Sequence, residues 1–454
     1  MLQRMELSDV SKPASEIPMP PGLPLLGHAL EMKRDILGMV TRARETYGDV
    51  MRFRPGPETV YVFCHPDDVE HVLKSPQIYN KDTHPSALIR EMTGNSVLVS
   101  NGDVWAQQRR MMQPFFTVSR AEALCGMIVE YTNEMLDGWE ANAKSGEPID
   151  IASQMMRLTY RVIEKALFGT VTTEGMHEIE EAIGLSLECL YRRASTVFNA
   201  PAWMPTPMNR RYRRAKQVID SRIHEIIEQH SGNANDLLSC LMKATDDETN
   251  ERMTPQQLRN EMVTLLIGGH ETTANAMTWL WYHVSRHAGV EQNLIDEAER
   301  VGDLNADSLS ALEYTAMVIR ESMRIHPPIW ISPRNTLQDD EVHGYLIPAK
   351  SAVALCQWTT HRHPEFWPDA ETFDPGRFEP ARMKEMHPFA YFPFGAGPRN
   401  CIGQHIAFTE ALVITSMIAR RFRLRLAPGY RVEVQPGITL RSKYGMRILI
   451  EPLK

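Results

Sequence analysis

The chain has 454 residues, 43% of them hydrophobic and 23% charged, which is the balance of a globular protein and leaves room for one large domain or two to three ordinary ones. Its formal charge of −8 excludes a nucleic-acid partner held by a global positive field. No apolar run reaches the roughly 18 residues of a transmembrane helix, and the N-terminus lacks the apolar core and cleavage site of a secretory signal. A Pro-rich segment comes first, PASEIPMPPGLPLLG at 13–27, and reads as a stiff surface tether. Two β-like runs follow, DVMRFRP and TVYVFC, separated by the turn-forming Gly56-Pro57.

From Pro66 to about Arg324 apolar residues recur at three and four, the period of helices. Turn clusters interrupt this pattern at Ser145-Gly146, Pro201 to Pro207 and Ser231 to Asn235. The strongest helix runs from Thr254 to about His287, with Thr254 as its cap and Pro255 in the first turn. Gly268-Gly269 near its middle costs helix stability and points to a kink or a closely approaching ligand. Past Arg324 the chain turns to Pro, Gly and short strand-like pieces up to Pro398. A helix from about Ile402 to Arg421 and an alternating, antiparallel-type tail complete it. With no repeats and no low-complexity linker, residues 1–454 read as one mainly α domain with a smaller β-rich part.

Six cysteines (Cys64, Cys125, Cys189, Cys240, Cys356, Cys401) are scattered without a CxxC pair, as in a reducing, cytoplasmic compartment. Five have the neighbours of inert core residues. Cys401 differs. It lies in Phe392-Pro-Phe-Gly-Ala-Gly-Pro-Arg-Asn-Cys-Ile-Gly-Gln-His405, where Gly395 and Gly397 permit left-handed turns and a helix starts just after the thiol. Unpaired N–H groups at that helix end lower a thiol pKa and keep a thiolate ready for a metal. A structural zinc site fails for want of three further ligands nearby.

This loop resembles the haem-binding loop of the cytochromes P450, F-x-x-G-x-R-x-C-x-G, at Phe394, Gly397, Arg399, Cys401 and Gly403. Five such matches arise by chance on the order of once in 10⁴ chains, so the plain buried-cysteine reading gives way. Other segments match in order. Gly268-Gly269-His270-Glu271-Thr272-Thr273 is similar to the family's oxygen-activating motif; HExxH is excluded because Ala274 stands where the second His is required. Glu321-Ser-Met-Arg324, followed by Phe373-Asp-Pro-Gly-Arg377-Phe378, is similar to the family's E-x-x-R and P-x-R-F segments. Trp105-Ala-Gln-Gln-Arg109 matches its W-x-x-x-R helix.

The resemblance implies a triangular prism-like P450 fold with haem b (iron protoporphyrin IX) between the long central helix and the cysteine-loop helix, and Cys401 as iron ligand. Trp105, Arg109, Arg334, Phe394, Arg399 and Gly403 would hold the haem, and Glu321, Arg324 and Arg377 would form a buried structural triad. Thr272 would order the oxygen being activated and Glu271 would deliver protons. Insertion of one atom of O₂ into an apolar fatty acid, terpenoid or steroid-like substrate is the implied reaction. The pocket would draw on Val97, Leu98, Leu265, Gly268, Ile329 and Ile438, and on the helix near 189–197. No G-x-G-x-x-G element or flavin domain is present, so electrons are expected from a separate ferredoxin or flavodoxin with its reductase, docking near Arg109, Arg110 and Arg399. Glu271-Thr272 disfavours a peroxide-driven or isomerising relative, and the apolar pocket disfavours a gas-binding sensor.

Overall fold

Thr254 and Gln257 cap the longest helix reciprocally. The Gln257 N–H donates to Thr254 Oγ1 at 3.2 Å, and the Thr254 N–H donates to Gln257 Oε1 at 2.8 Å, with Pro255 opening the first turn. The computed structural model describes residues 11–169, 173–194, 203–232 and 236–453. This central helix, Pro255–Val284, runs unbroken for 30 residues, or about 45 Å. It continues through the glycine pair without a break. At Gly269 a Cβ would come within 2.8 Å of the Ile163 side chain, so the missing side chain lets the helix Ile151–Phe168 pack close. At Gly268 a Cβ would meet nothing within 4 Å.

Two apolar cores meet along this helix. Leu258 to Leu266 pack with Ile163, Leu167, Ile219 and Ile223, whereas Ala274 to Val284 pack with Val413, Ile414 and Ile418 of the helix Gln404–Arg421. Residues 268–273 belong to neither core. No helix among the described residues is long and apolar enough to cross a membrane.

The main sheet has five strands in the order Val50–Phe53, Val60–Phe63, Ala352–Leu355, Ser332–Thr336, Tyr79–Asn80. The first two, the β-like runs either side of Gly56-Pro57, pair antiparallel. The second then pairs in parallel with Ala352–Leu355, placing Phe63 opposite Leu355, and the short edge strand sets Asn80 opposite Asn335. A separate hairpin, Val434–Pro436 with Leu440–Ser442, carries Gly437-Ile438-Thr439 in its turn. The tail strands Phe422–Leu426 and Arg447–Pro452 pair antiparallel, as their alternation predicts.

The Pro-rich entry is no free tether over its described part. Lys12–Pro13 pairs in parallel with Tyr345–Leu346, the Pro18 carbonyl accepts the Arg52 N–H at 2.9 Å, and Ile17 is fully buried. Prolines cannot donate to a ladder, but their carbonyls accept and their rings leave Ile17 free to enter the core.

Candidate active site

Two glycines shape the cysteine loop. Gly395 and Gly397 both have φ +67°, and a Cβ on Gly397 would lie 2.4 Å from the Leu73 carbonyl oxygen. The loop closes when the Cys401 N–H donates to the Phe394 carbonyl at 2.8 Å and the Asn400 N–H to that of Gly397 at 3.1 Å. The following helix begins at Gln404, two residues later than expected, and the Gly403 N–H donates to the Cys401 sulfur.

Cys401 is solvent-accessible, whereas four of the other cysteines are buried and Cys240 is half-buried. Its thiol pKa is nonetheless raised: burial dominates, opposed by the Gly403 N–H and the charges of Arg109 and Lys81. The lowered pKa expected from the helix end is therefore reversed for the free thiol, because desolvation outweighs one N–H and two cations. A sulfur both accessible and desolvated faces enclosed space. A Cβ on Gly403, like one on Gly268, would meet nothing within 4 Å, so there is room for a flat group at both surfaces.

Around that space stand four cations, Lys81, Arg109, Arg334 and Arg399. Burial pushes each below its ordinary pKa, Arg334 and Arg399 to about 10, and mutual repulsion adds to this for Lys81 and Arg399. Their hydrogen-bond acceptors are all neutral. Lys81 donates to the Leu98 carbonyl (3.0 Å) and Arg109 to Asn400 O and Oδ1 (2.9 and 2.8 Å). Arg334 donates to the Pro333 carbonyl (2.8 Å), and Arg399 to Ser100 O and Asn101 Oδ1 (2.8 and 3.2 Å). The Arg399 guanidinium also lies 4.1 Å from the Trp105 ring centroid. Among the described residues none of the four ion-pairs with a carboxylate. Desolvated cations lacking a counter-ion are the donor set for a ligand bearing carboxylates, as haem propionates do.

Sequence reasoning missed Lys81, since no motif spacing contains it; the Asn80–Asn335 pairing brings it beside Arg334. Arg110 does not join this cluster. It pairs with the buried Asp246 (2.9 Å) and the exposed Glu248 (3.1 Å), while Arg109 donates to Asn400 and Arg399 to Ser100 and Asn101.

Thr272 and Glu271 adjoin in sequence but take different partners. Thr272 Oγ1 donates to the Gly268 carbonyl one turn back at 2.6 Å and faces the open side. Glu271 is buried and accepts a 2.6 Å hydrogen bond from Thr439 Oγ1, which in turn accepts from Asn275 Nδ2 at 3.2 Å. The hairpin turn thus holds the acid and, one residue earlier, presents Ile438. Val97, Leu265 and Ile438 share one apolar cluster with Cys189 and Leu190, and Leu98 and Ile329 lie outside it. The expected pocket residues 195–197 are outside the described residues.

Glu261 faces the same region. Fully buried, it accepts the Val97 N–H on both carboxylate oxygens at 3.1 Å, and burial raises its pKa from the ordinary 4.5 to about 8, against the Val97 N–H. The folded protein therefore holds a proton that the unfolded chain releases above 4.5. Its stabilisation is full below that value and is lost as pH rises through about 8. The melting temperature is expected to fall from pH 6 to 9, and Glu261→Gln to flatten that fall. Identical slopes in the two proteins would exclude the assignment.

Glu321, Arg324 and Arg377, the triad that the resemblance implies, lie together. Arg324 Nε and Nη2 donate to the two Glu321 oxygens at 2.7 and 2.8 Å, and Arg377 Nε lies 3.5 Å from Glu321 Oε1. Glu321 and Arg324 are fully buried. Arg324 Nη1 also donates to the His361 carbonyl at 3.0 Å. The His361 ring, kept neutral with a pKa lowered to about 3 by burial and neighbouring arginines, accepts the Phe392 N–H at 2.9 Å. This relay, invisible in the motifs, ties the triad to the start of the cysteine loop.

The sequence profile of the family described as Cytochrome P450 matches residues 17–444. The chain is 34% identical over 441 residues to cyclooctatin synthase of Streptomyces melanosporofaciens, covering 95% of each protein. It is 34% identical over 419 residues to cyclooctat-9-en-7-ol 5-monooxygenase of the same organism, covering 90% of each. Pentalenene oxygenase of Streptomyces avermitilis is 29% identical, with 95% of each chain covered. The crystal structure of the cytochrome P450DA heme domain superposes with a TM-score of 0.89 at 25% identity, over 98% of this chain and 99% of that one. An accessible cysteine in a glycine-shaped loop, a ring of uncompensated cations and these matches agree: the chain belongs to the cytochrome P450 family of haem monooxygenases.

Proposed function

We propose that this enzyme hydroxylates a terpenoid hydrocarbon or simple terpenoid alcohol in the cytoplasm, with haem b ligated by Cys401 and electrons from a separate ferredoxin or flavodoxin and its reductase. The observation that carries the cofactor assignment is the accessible but desolvated Cys401 facing a space ringed by Lys81, Arg109, Arg334 and Arg399. These cations, with Trp105 stacked under Arg399, would hold the propionates; Gly403 and Phe394 would flank the ring on the cysteine side. When bound, haem with a thiolate ligand supplies the activation of O₂.

The protein's own part is positioning and protons. Thr272 presents its hydroxyl on the open side of the central helix and holds a proton at Oγ1. Glu271, whose carboxylate accepts the Thr439 hydroxyl, is the acid next to Thr272 in the chain and supplies protons to the site. Support for a terpenoid comes from relatives named for oxygenating pentalenene and cyclooctat-9-en-7-ol, names of carbon skeletons with few polar atoms. A fatty acid fits less well. Arg90, on the helix His84–Thr93 just before Val97 and Leu98, is committed to Asp82 at 3.1 Å and the Val99 carbonyl at 2.7 Å.

Replacing Thr272 with alanine is expected to leave NADPH consumption near its usual rate in a reconstituted system, while product per NADPH falls about tenfold or more. Undiminished coupling would remove Thr272 from the proton path.

A further inference from the structure

We propose that His65, His363 and Glu365 form a second metal site, separate from the haem site, that takes a zinc-class divalent ion at the protein surface. The fold brings the three together. Strands Val60–Phe63 and Ala352–Leu355 pair with Phe63 opposite Leu355, so the segments leaving them run side by side, and the Thr360 hydroxyl ties them by donating to the Cys64 carbonyl at 2.9 Å. His65 caps the helix Pro66–Lys74, and His363 and Glu365 lie on the turn after the helix Gln357–Thr360.

The three ligand atoms lie within 4.8 Å of one another. His65 Nε2 is 3.8 Å from Glu365 Oε2, too far for a hydrogen bond but suited to two ligands of one ion. The two imidazole rings stand 5.4 Å apart between centroids at 88°. Ligation at about 2.0–2.1 Å in tetrahedral geometry sets such rings roughly 5 Å apart. Each imidazole also has a carboxylate behind it. His363 Nε2 lies 3.1 Å from Asp49 Oδ1, itself fixed by Arg44 Nε at 2.9 Å, and His363 Nδ1, on the Glu365 side, accepts the Glu365 N–H at 3.3 Å, a contact the ion would displace. His65 Nδ1 accepts the Asp67 N–H at 3.2 Å and Nε2 faces Glu365; ligation through Nε2 would exchange that cap for a proton at Nδ1, which lies 3.5 Å from Asp67 Oδ2. Carboxylate-backed histidines of this kind orient metal ligands and raise their basicity. Two nitrogens and one oxygen favour zinc over calcium or magnesium, which prefer oxygen, and three protein ligands leave one position for water.

The test uses the chelator-stripped, haem-loaded enzyme, so that Cys401 is engaged, titrated with zinc chloride by calorimetry. One zinc per chain is expected, in the micromolar range, with no heat from magnesium chloride at the same concentrations. Glu365→Gln, at an exposed side chain, should weaken binding about tenfold or more, as should His65→Asn, which keeps a helix-capping oxygen. An unchanged carbon-monoxide spectrum certifies the fold of each variant. The site is overturned by an absence of saturable sub-millimolar binding, or by zinc affinity that survives both substitutions. It is equally overturned if His387→Ala abolishes binding while Glu365→Gln does not, which would move the ion to the neighbouring Asp67, Glu70 and His387.

Discussion

Cys401→Ser is expected to yield a folded protein whose reduced, carbon-monoxide-bound absorption lacks the red-shifted band of a thiolate-ligated haem, with turnover falling to that of haem-free protein. A serine hydroxyl holds its proton far more tightly than a thiol and gives no soft anion in this desolvated setting, where even the cysteine is pushed up. Cys401→His restores a nitrogen ligand and should retain colour without the red-shifted band. Persistence of that band in either variant would show that the iron is held elsewhere.

The second large effect concerns stability. Glu321→Ala strips from a fully buried Arg324 and its neighbour Arg377 the only carboxylate that pairs with them among the described residues. An uncompensated buried guanidinium costs about 3–5 kcal/mol, which corresponds to a melting temperature lowered by roughly 3–5 °C in a chain of this size. Haem content should fall with it, because Arg324 anchors the His361 carbonyl and the His361 ring anchors the Phe392 N–H. Arg377→Lys, at the looser 3.5 Å contact, should cost much less. Thermal melts and the haem-to-protein ratio check both. A Glu321→Ala protein that melts with the wild type and fills with haem would show that the triad supports nothing.

The residues that were legible in the sequence are those whose geometry is local. Thr254, Pro255 and Gln257 define a helix start within four residues, Gly395 and Gly397 turn the backbone next to the cysteine, and Glu321 reaches Arg324 along one helical face. Lys81, Thr439 and His361 were not legible as partners, because each arrives through pairing between distant strands or loops: Asn80 with Asn335, the 434–442 hairpin against the central helix, and Arg324 across to residue 361. Composition misled at the Pro-rich entry, which looked free yet buries Ile17. The cysteine pKa went the other way because a helix end is a local feature, whereas desolvation is a property of the whole fold.

The two adjacent glycines of the central helix offer unequal freedom to anyone reshaping selectivity. A methyl group added at 268 projects into open space and trims the room beside Thr272 without disturbing the scaffold. The same methyl at 269 drives against Ile163 at 2.8 Å and must wedge two helices apart. Engineering of substrate shape thus has a permissive dial and a locked one, a single residue apart.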